Sequence, residues 1–210
     1  MSRIRLELFC EDIAHEEFIS SLVLRIAREE GVRIDLRVRS GRGGQGRAEH
    51  ELLLFQTVVL GGKVVSPDLV VVAIDANCRG FDSARKAIMQ KLKPDLASRT
   101  TLACPDPHIE CWYVCDPVTF KDVVGSQPRI GNLKCERGYY KSVLRDAVRD
   151  SGLPATLGGV EFAHELVEAM DLYRAGRSNR ALKAFVDDFR NALRTRGFPT
   201  QARASQSSSR

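Results

Sequence analysis

Three short apolar runs in this chain each end on acidic residues. Ile4-Arg5-Leu6-Glu7-Leu8-Phe9 leads into Glu11, Leu69-Val70-Val71-Val72-Ala73-Ile74 into Asp75-Ala76-Asn77, and Thr100-Thr101-Leu102-Ala103 into Pro105-Asp106-Pro107-His108-Ile109-Glu110. The middle run lacks polar alternation, as a central strand covered on both faces does. In an open α/β sheet, ligands collect outside the carboxyl ends of the strands, so acids delivered there by separate strands converge on one point. Such a cluster of carboxylates predicts a divalent-cation site.

The rest of the chain supplies the connections that such a sheet needs. Residues 14–30 carry Phe18, Ile19, Leu22, Val23 and Ile26 at helical spacing, and Gly31 stops that helix. Val32 to Arg39 alternates apolar and charged side chains, as a half-buried or edge strand does, and is expected to be the second strand with its basic side in water. Ser40 to Arg47 reads as a flexible, basic, glycine-rich loop without the Gly-Lys-Ser/Thr ending of a phosphate-binding P-loop. Helices are expected at 48–60 and 81–93, and a fourth strand at 100–104. Strand and helix then alternate as in a four-stranded, mainly parallel sheet with right-handed crossovers. Beyond 117 only helical patterns remain, at 117–124, 136–150, 160–174 and 178–196. The expected division is an α/β domain over 1–116, a C-terminal helical lobe packed on it over 117–198, and a polar, disordered tail over 199–210.

Composition narrows the class further. At 43% hydrophobic and 28% charged residues, with no apolar run near the roughly 20 residues of a membrane span, the chain reads as a soluble, cytoplasmic protein with no membrane partner. The opening Met1-Ser2-Arg3-Ile4-Arg5 alternates with charge, unlike a secretory signal. Six cysteines (Cys10, Cys78, Cys104, Cys111, Cys115, Cys135) stand singly with no C-x-x-C pair, so reduced thiols are expected. Cys111, Cys115 and His108 have a spacing that a zinc site can use, but a fourth ligand is missing. The net charge of +5 is concentrated at Arg33–Arg47 and Arg174–Arg210, which favours a polyanionic partner.

Candidate ligands follow from the strand ends. Mg2+ takes hard oxygen donors and is commonly held by one or two carboxylates plus substrate phosphates. Glu11, Asp75 and Glu110 supply carboxylates and Asn77 an amide oxygen, whereas Glu11 alone reads as a helix N-terminal acid and Asp75 alone as a cap. His15 reads as a helix N-terminal residue or as a group supporting a ligand. Trp112 and the stripe Leu182, Phe185, Val186, Phe189 and Leu193 read as core.

These residues carry a family resemblance. Glu11-Asp12-x-x-His15-Glu16-Glu17-Phe18-Ile19 resembles the opening glutamate motif of Toprim domains, Asp75-Ala76-Asn77-x-x-Gly80 resembles their Asp-x-Asp motif, and Pro107-His108-Ile109-Glu110-x-Trp112-Tyr113 looks like the third acidic element of small Toprim-like proteins encoded beside an ATPase. The resemblance covers about residues 3–116. It departs from the family at Asp12, where glycine is usual, and at Asn77, which replaces the second aspartate. It implies a Toprim-like (Rossmann-like) fold and a Mg2+-dependent nuclease, with Mn2+ able to substitute, that hydrolyses DNA or RNA phosphodiesters. Glu11, Asp75, Asn77 and Glu110 would hold metal; Glu11, Asp75, Glu110 and Lys141 would be catalytic; Arg42, Arg47, His108 and Lys134 would contact nucleic acid. It further implies an ATPase partner, a role in antiphage defence and a possible homodimer. The alternative is a catalytically degenerate Toprim subunit that binds nucleic acid or its ATPase without cutting.

Overall fold

The computed structural model describes residues 3–41 and 43–197. Four strands, β1 (Ile4–Cys10), β2 (Ile34–Ser40), β3 (Leu69–Ala73) and β4 (Thr100–Ala103), form one all-parallel sheet in the order β2-β1-β3-β4. The apolar run of β3 is buried throughout and lies inside the sheet, while the alternating β2 is an edge strand with Arg37 and Arg39 exposed. Arg39 covers that edge, pairing with Glu7 at 2.6 Å and lying 4.6 Å over the Phe55 ring.

Because side chains alternate along a strand, the sheet divides its apolar residues between two cores. Leu6, Leu8, Val71, Ala73 and Ala103 face α1 (Ile13–Glu29). Phe9, Val70, Val72, Ile74 and Leu102 face α2 (Gln45–Leu60), α3 (Phe81–Met89) and α4 (Pro94–Ala97). From β1 the chain crosses over one face to reach β2 on one side, and over the other face to reach β3 on the opposite side. The gap between β1 and β3 is therefore the topological switch point, where an α/β sheet opens a crevice.

The later helices share the α1 core: α5 (Glu110–Tyr113), α6 (Pro117–Val124), α7 (Tyr139–Asp150), a 3-10 turn (Val160–Phe162), α8 (Ala163–Ala169), α9 (Leu172–Ser178) and α10 (Arg180–Gly197). Trp112 is fully buried, its ring stacked on Phe185 at 6.0 Å and 6.1 Å from Phe18, and the stripe from Leu182 to Leu193 is core. Among the described residues no helix is long and apolar enough to cross a membrane.

Four expectations need correction. The glycine-rich loop is shorter than expected, because Gly44, at φ +80°, starts α2 already at Gln45. The helix expected to run to 93 ends at Met89, and Pro94 opens a separate turn, α4. The segment 160–174 is not one helix: the Asp171 N–H donates to Asp116 Oδ2, and the Asp171 carboxylate accepts the N–H groups of Tyr173 and Arg174, which ends α8 and starts α9. Cys78 and Cys135 form a disulfide, with Cα atoms 5.9 Å apart, while Cys10, Cys104, Cys111 and Cys115 are free and buried. The expected disordered tail lies outside the described residues.

Candidate metal centre

The site begins with how α1 is capped. Asp12 is its N-cap: extended in backbone, it accepts the His15 N–H at 3.1 Å. The same oxygen takes His15 Nδ1 at 2.8 Å, so one carboxylate starts the helix and also fixes the imidazole ring beneath it. His15 is fully buried, and its other nitrogen, Nε2, points to the end of β3, 3.0 Å from Asp75 Oδ1. That contact lacks the alignment of a hydrogen bond, and both atoms are buried without a hydrogen-bond partner.

Glu11 and Asp75 leave the carboxyl ends of the neighbouring strands β1 and β3, and they are tied directly, the Asp75 backbone N–H donating to Glu11 Oε1 at 2.7 Å. Asp75 Oδ2 lies 3.1 Å from His108 Nδ1. Glu11, His15 and Asp75 each offer an atom within 4.8 Å of the others, so this buried group has donors for a metal ion. The donor chemistry fits a cation, because a nitrogen and a carboxylate oxygen, paired across 3.0 Å without an aligned hydrogen bond, need a positive charge between them.

The protonation pattern says the same. Burial pushes the Glu11 carboxyl from 4.5 up to about 7, with the Asp75 charge adding to the rise and His15 opposing it. Burial would depress His15, but the adjoining carboxylates of Asp12 and Asp75 outweigh it and carry the imidazole up to about 10. Burial disfavours the charged forms of Asp12 and Asp75 as well. The histidines prevail, holding Asp12 at about 2 and Asp75 below the usual carboxylate range. Without a metal, therefore, His15 carries the positive charge that Asp12 and Asp75 require, while burial keeps the proton on Glu11 up to about pH 7.

A cleft of about 560 Å³ opens over this group, lined by Glu11, Asp12, Asp75, Asn77 and His108 on its acidic side. The same cleft is lined by Lys141, Arg137, and Gly44 and Gly138, the residues that start α2 and α7. Helix N-termini and basic side chains favour anions, so the acidic floor has an anion-attracting rim.

Of the residues singled out in the sequence, Glu11, Asp75, Asn77, His108 and Lys141 come together at this cleft. Glu110 is 2% exposed and stands outside the Glu11, His15 and Asp75 donor group; Lys141 Nζ is 3.7 Å from its Oε1, and its Oε2 has no partner. Burial raises the Glu110 carboxyl, with Lys141 opposing. Asn77, at φ +51°, forms the turn after β3, its Nδ2 donating to Asp75 O at 3.3 Å and its N–H to Pro107 O. Arg47 is exposed on the first turn of α2, Lys134 is exposed beside Cys135, and Arg42 lies outside the described residues. The Cys111 and Cys115 thiols contact the backbone oxygens of Asp106 and Trp112, a packing role rather than a zinc site. Arg137 and the disulfide that line the cleft have no signal in the sequence, which leaves His15 either a helix N-terminal residue or a group supporting a ligand; the Asp12-x-x-His15 spacing is the signal for its fixed ring.

Comparison with protein-family models, with curated proteins and with solved structures gave no match to this chain.

Proposed function

We propose that this protein is a divalent-cation-dependent nuclease of the Toprim type, hydrolysing DNA or RNA phosphodiester bonds with Mg2+ or Mn2+. The observation that carries the reading is the pair of carboxylates, buried Glu11 and partly buried Asp75, that follow neighbouring strands at the switch point of a parallel sheet and are linked by the bond from the Asp75 backbone N–H to Glu11. Both would hold the cation, whose chemistry when bound would be to polarise a phosphoryl oxygen and to supply a nucleophilic water at neutral pH. The residues around it support the same chemistry. Lys141 and Arg137, with the N-termini of α2 and α7, would receive the phosphate and balance the charge that builds on it. His108, bonded to Asp75, orients that carboxylate. Glu110 would act through Lys141, whose ammonium it draws toward the cleft. An ATPase partner, an antiphage setting and a homodimer come to the proposal from the family resemblance.

A second reading, a subunit that binds nucleic acid or its ATPase without cutting, draws on Asn77, which serves the turn, and on Glu110, which stands outside the donor group. Incubating the purified chain, alone and with an ATPase encoded beside it, with single- and double-stranded DNA and with RNA in Mg2+ or Mn2+ separates the two. Cleavage lost in both Glu11→Ala and Asp75→Ala is the expected result. Binding without cleavage under either metal would replace the proposal by the second reading.

A further inference from the structure

We infer that His15 is itself a metal ligand, and that the site therefore takes a nitrogen-accepting first-row ion of the Mn2+ or Zn2+ type in preference to Mg2+. The inference rests on the metal-centre reading above and adds the identity of the donor set. Mg2+ binds through oxygen and keeps much of its water, so in a magnesium site a buried imidazole would serve only to orient a carboxylate. This site has one, fully buried and aimed at the carboxylates.

Three observations assign the ring to a metal. A histidine ligand characteristically gives its second ring N–H to a carboxylate, which fixes the tautomer and the ring plane. Asp12 does this at Nδ1, at 2.8 Å, and is itself anchored as the N-cap of α1. The nitrogen left over, Nε2, has no hydrogen-bond partner although it is buried, and the oxygen it faces, Asp75 Oδ1, has none either. The two are 3.0 Å apart. With bonds of about 2.1 Å, adjacent ligands stand about 3.0 Å apart in an octahedron and about 3.4 Å apart in a tetrahedron, so the donors stand near the spacing of two ligands of one ion. Glu11, within 4.8 Å of both, supplies a third donor from β1, and the cleft leaves the other side open to water and substrate. Imidazole raises affinity along the first-row series far more than for Mg2+, which gives the preference its direction.

The rival arrangement is a permanent imidazolium clamped between Asp12 and Asp75 beside a metal bound by oxygen alone. Electron spin-echo spectroscopy of the protein loaded with Mn2+ alone separates them, because a coordinated imidazole modulates the echo through its nitrogen. The expected result is histidine nitrogen modulation in the wild type and in His108→Ala, shifted when the protein is labelled with 15N-histidine, and lost in His15→Gln. Titration should show Mn2+ displacing Mg2+ with at least about 100-fold tighter binding. Bound Mn2+ without nitrogen modulation in the wild type overturns the inference whatever the variant does, so a His15→Gln protein that fails to fold does not shelter it. Loss of the modulation in His108→Ala would overturn it too, by moving the nitrogen ligand to His108. The nuclease reading stands or falls separately: Mg2+-dependent cleavage without nitrogen modulation removes His15 as a ligand and leaves the nuclease, whereas nitrogen modulation without cleavage does the reverse.

Discussion

Replacing Glu11 by glutamine should stabilise the metal-free protein, and the gain should depend on pH. The substitution keeps the local hydrogen bond, because a glutamine carbonyl oxygen can still accept the Asp75 N–H that Glu11 Oε1 accepts at 2.7 Å. What it removes is a carboxyl that burial pushes from 4.5 to about 7. The unfolded chain releases this proton near pH 4.5 while the folded chain keeps it to about 7, so in that window the folded state binds more protons and stability falls as pH rises. At about 1.4 kcal/mol per pKa unit, the 2.5 units between those values amount to about 3 kcal/mol lost by pH 8, but to less than about 1 kcal/mol at pH 5. Glu11→Gln does not titrate and escapes the loss. With a urea slope of about 2 kcal/mol per M, its midpoint at pH 8 should lie about 1.5 M above wild type, with little difference at pH 5. The single tryptophan, Trp112, is buried and reports the transition directly, with a chelator present to keep both proteins metal-free. Mn2+ should then reverse the order by stabilising the wild type more. A Glu11→Gln protein no more stable than wild type at pH 8, or equally stabilised at pH 5 and pH 8, would refute the claim that this carboxylate is held against its own burial for the sake of a cation.

Three other perturbations probe the frame around the site. Cys78 and Cys135 are 57 residues apart, so Cys135→Ser should lower stability by up to about 4 kcal/mol through the freed chain entropy of the unfolded state. Equal urea midpoints for wild type and variant without reductant would show that the bond does not form. Lys141→Met removes the charge that opposes the burial of Glu110, so the Glu110 carboxyl should titrate at still higher pH, read by carbon-13 NMR of the labelled side chain. An unmoved titration would mean that Lys141 and Glu110 do not interact in solution. Trp112→Ala empties the space between Phe18 and Phe185 and should cost about 3–5 kcal/mol in denaturant unfolding. A cost below about 1 kcal/mol would place the ring outside the core.

The parts of this protein that can be read from its sequence are those fixed by patterns within a few residues. Alternation in Ile34–Ser40 and its absence in Leu69–Ala73 separate a half-buried or edge strand from a strand covered on both faces, because burial on one or two faces is written directly in the side-chain period. Acids after β1 and β3 could be placed together for the same reason, since parallel strands all deliver their carboxyl ends to one side. Long-range bonds leave no such trace. Asp171 breaks a helix through Asp116, 55 residues away, and Cys78 meets Cys135 across 57 residues, so neither the break nor the bond has a local signature. Glu110 shows the limit from the other side. It occupies the expected position after β4, yet a one-turn helix seats it at Lys141 and outside the reach of Glu11, His15 and Asp75. His15 lies between these cases. Its side chain is directed by a local bond to Asp12, three residues before it, which a sequence can show, but its purpose depends on Asp75, sixty residues later, which a sequence cannot. A histidine inside an acidic motif is thus ambiguous until the second strand is in place. Once β3 sets Asp75 Oδ1 beside Nε2, the choice narrows to a proton or a metal ion between them.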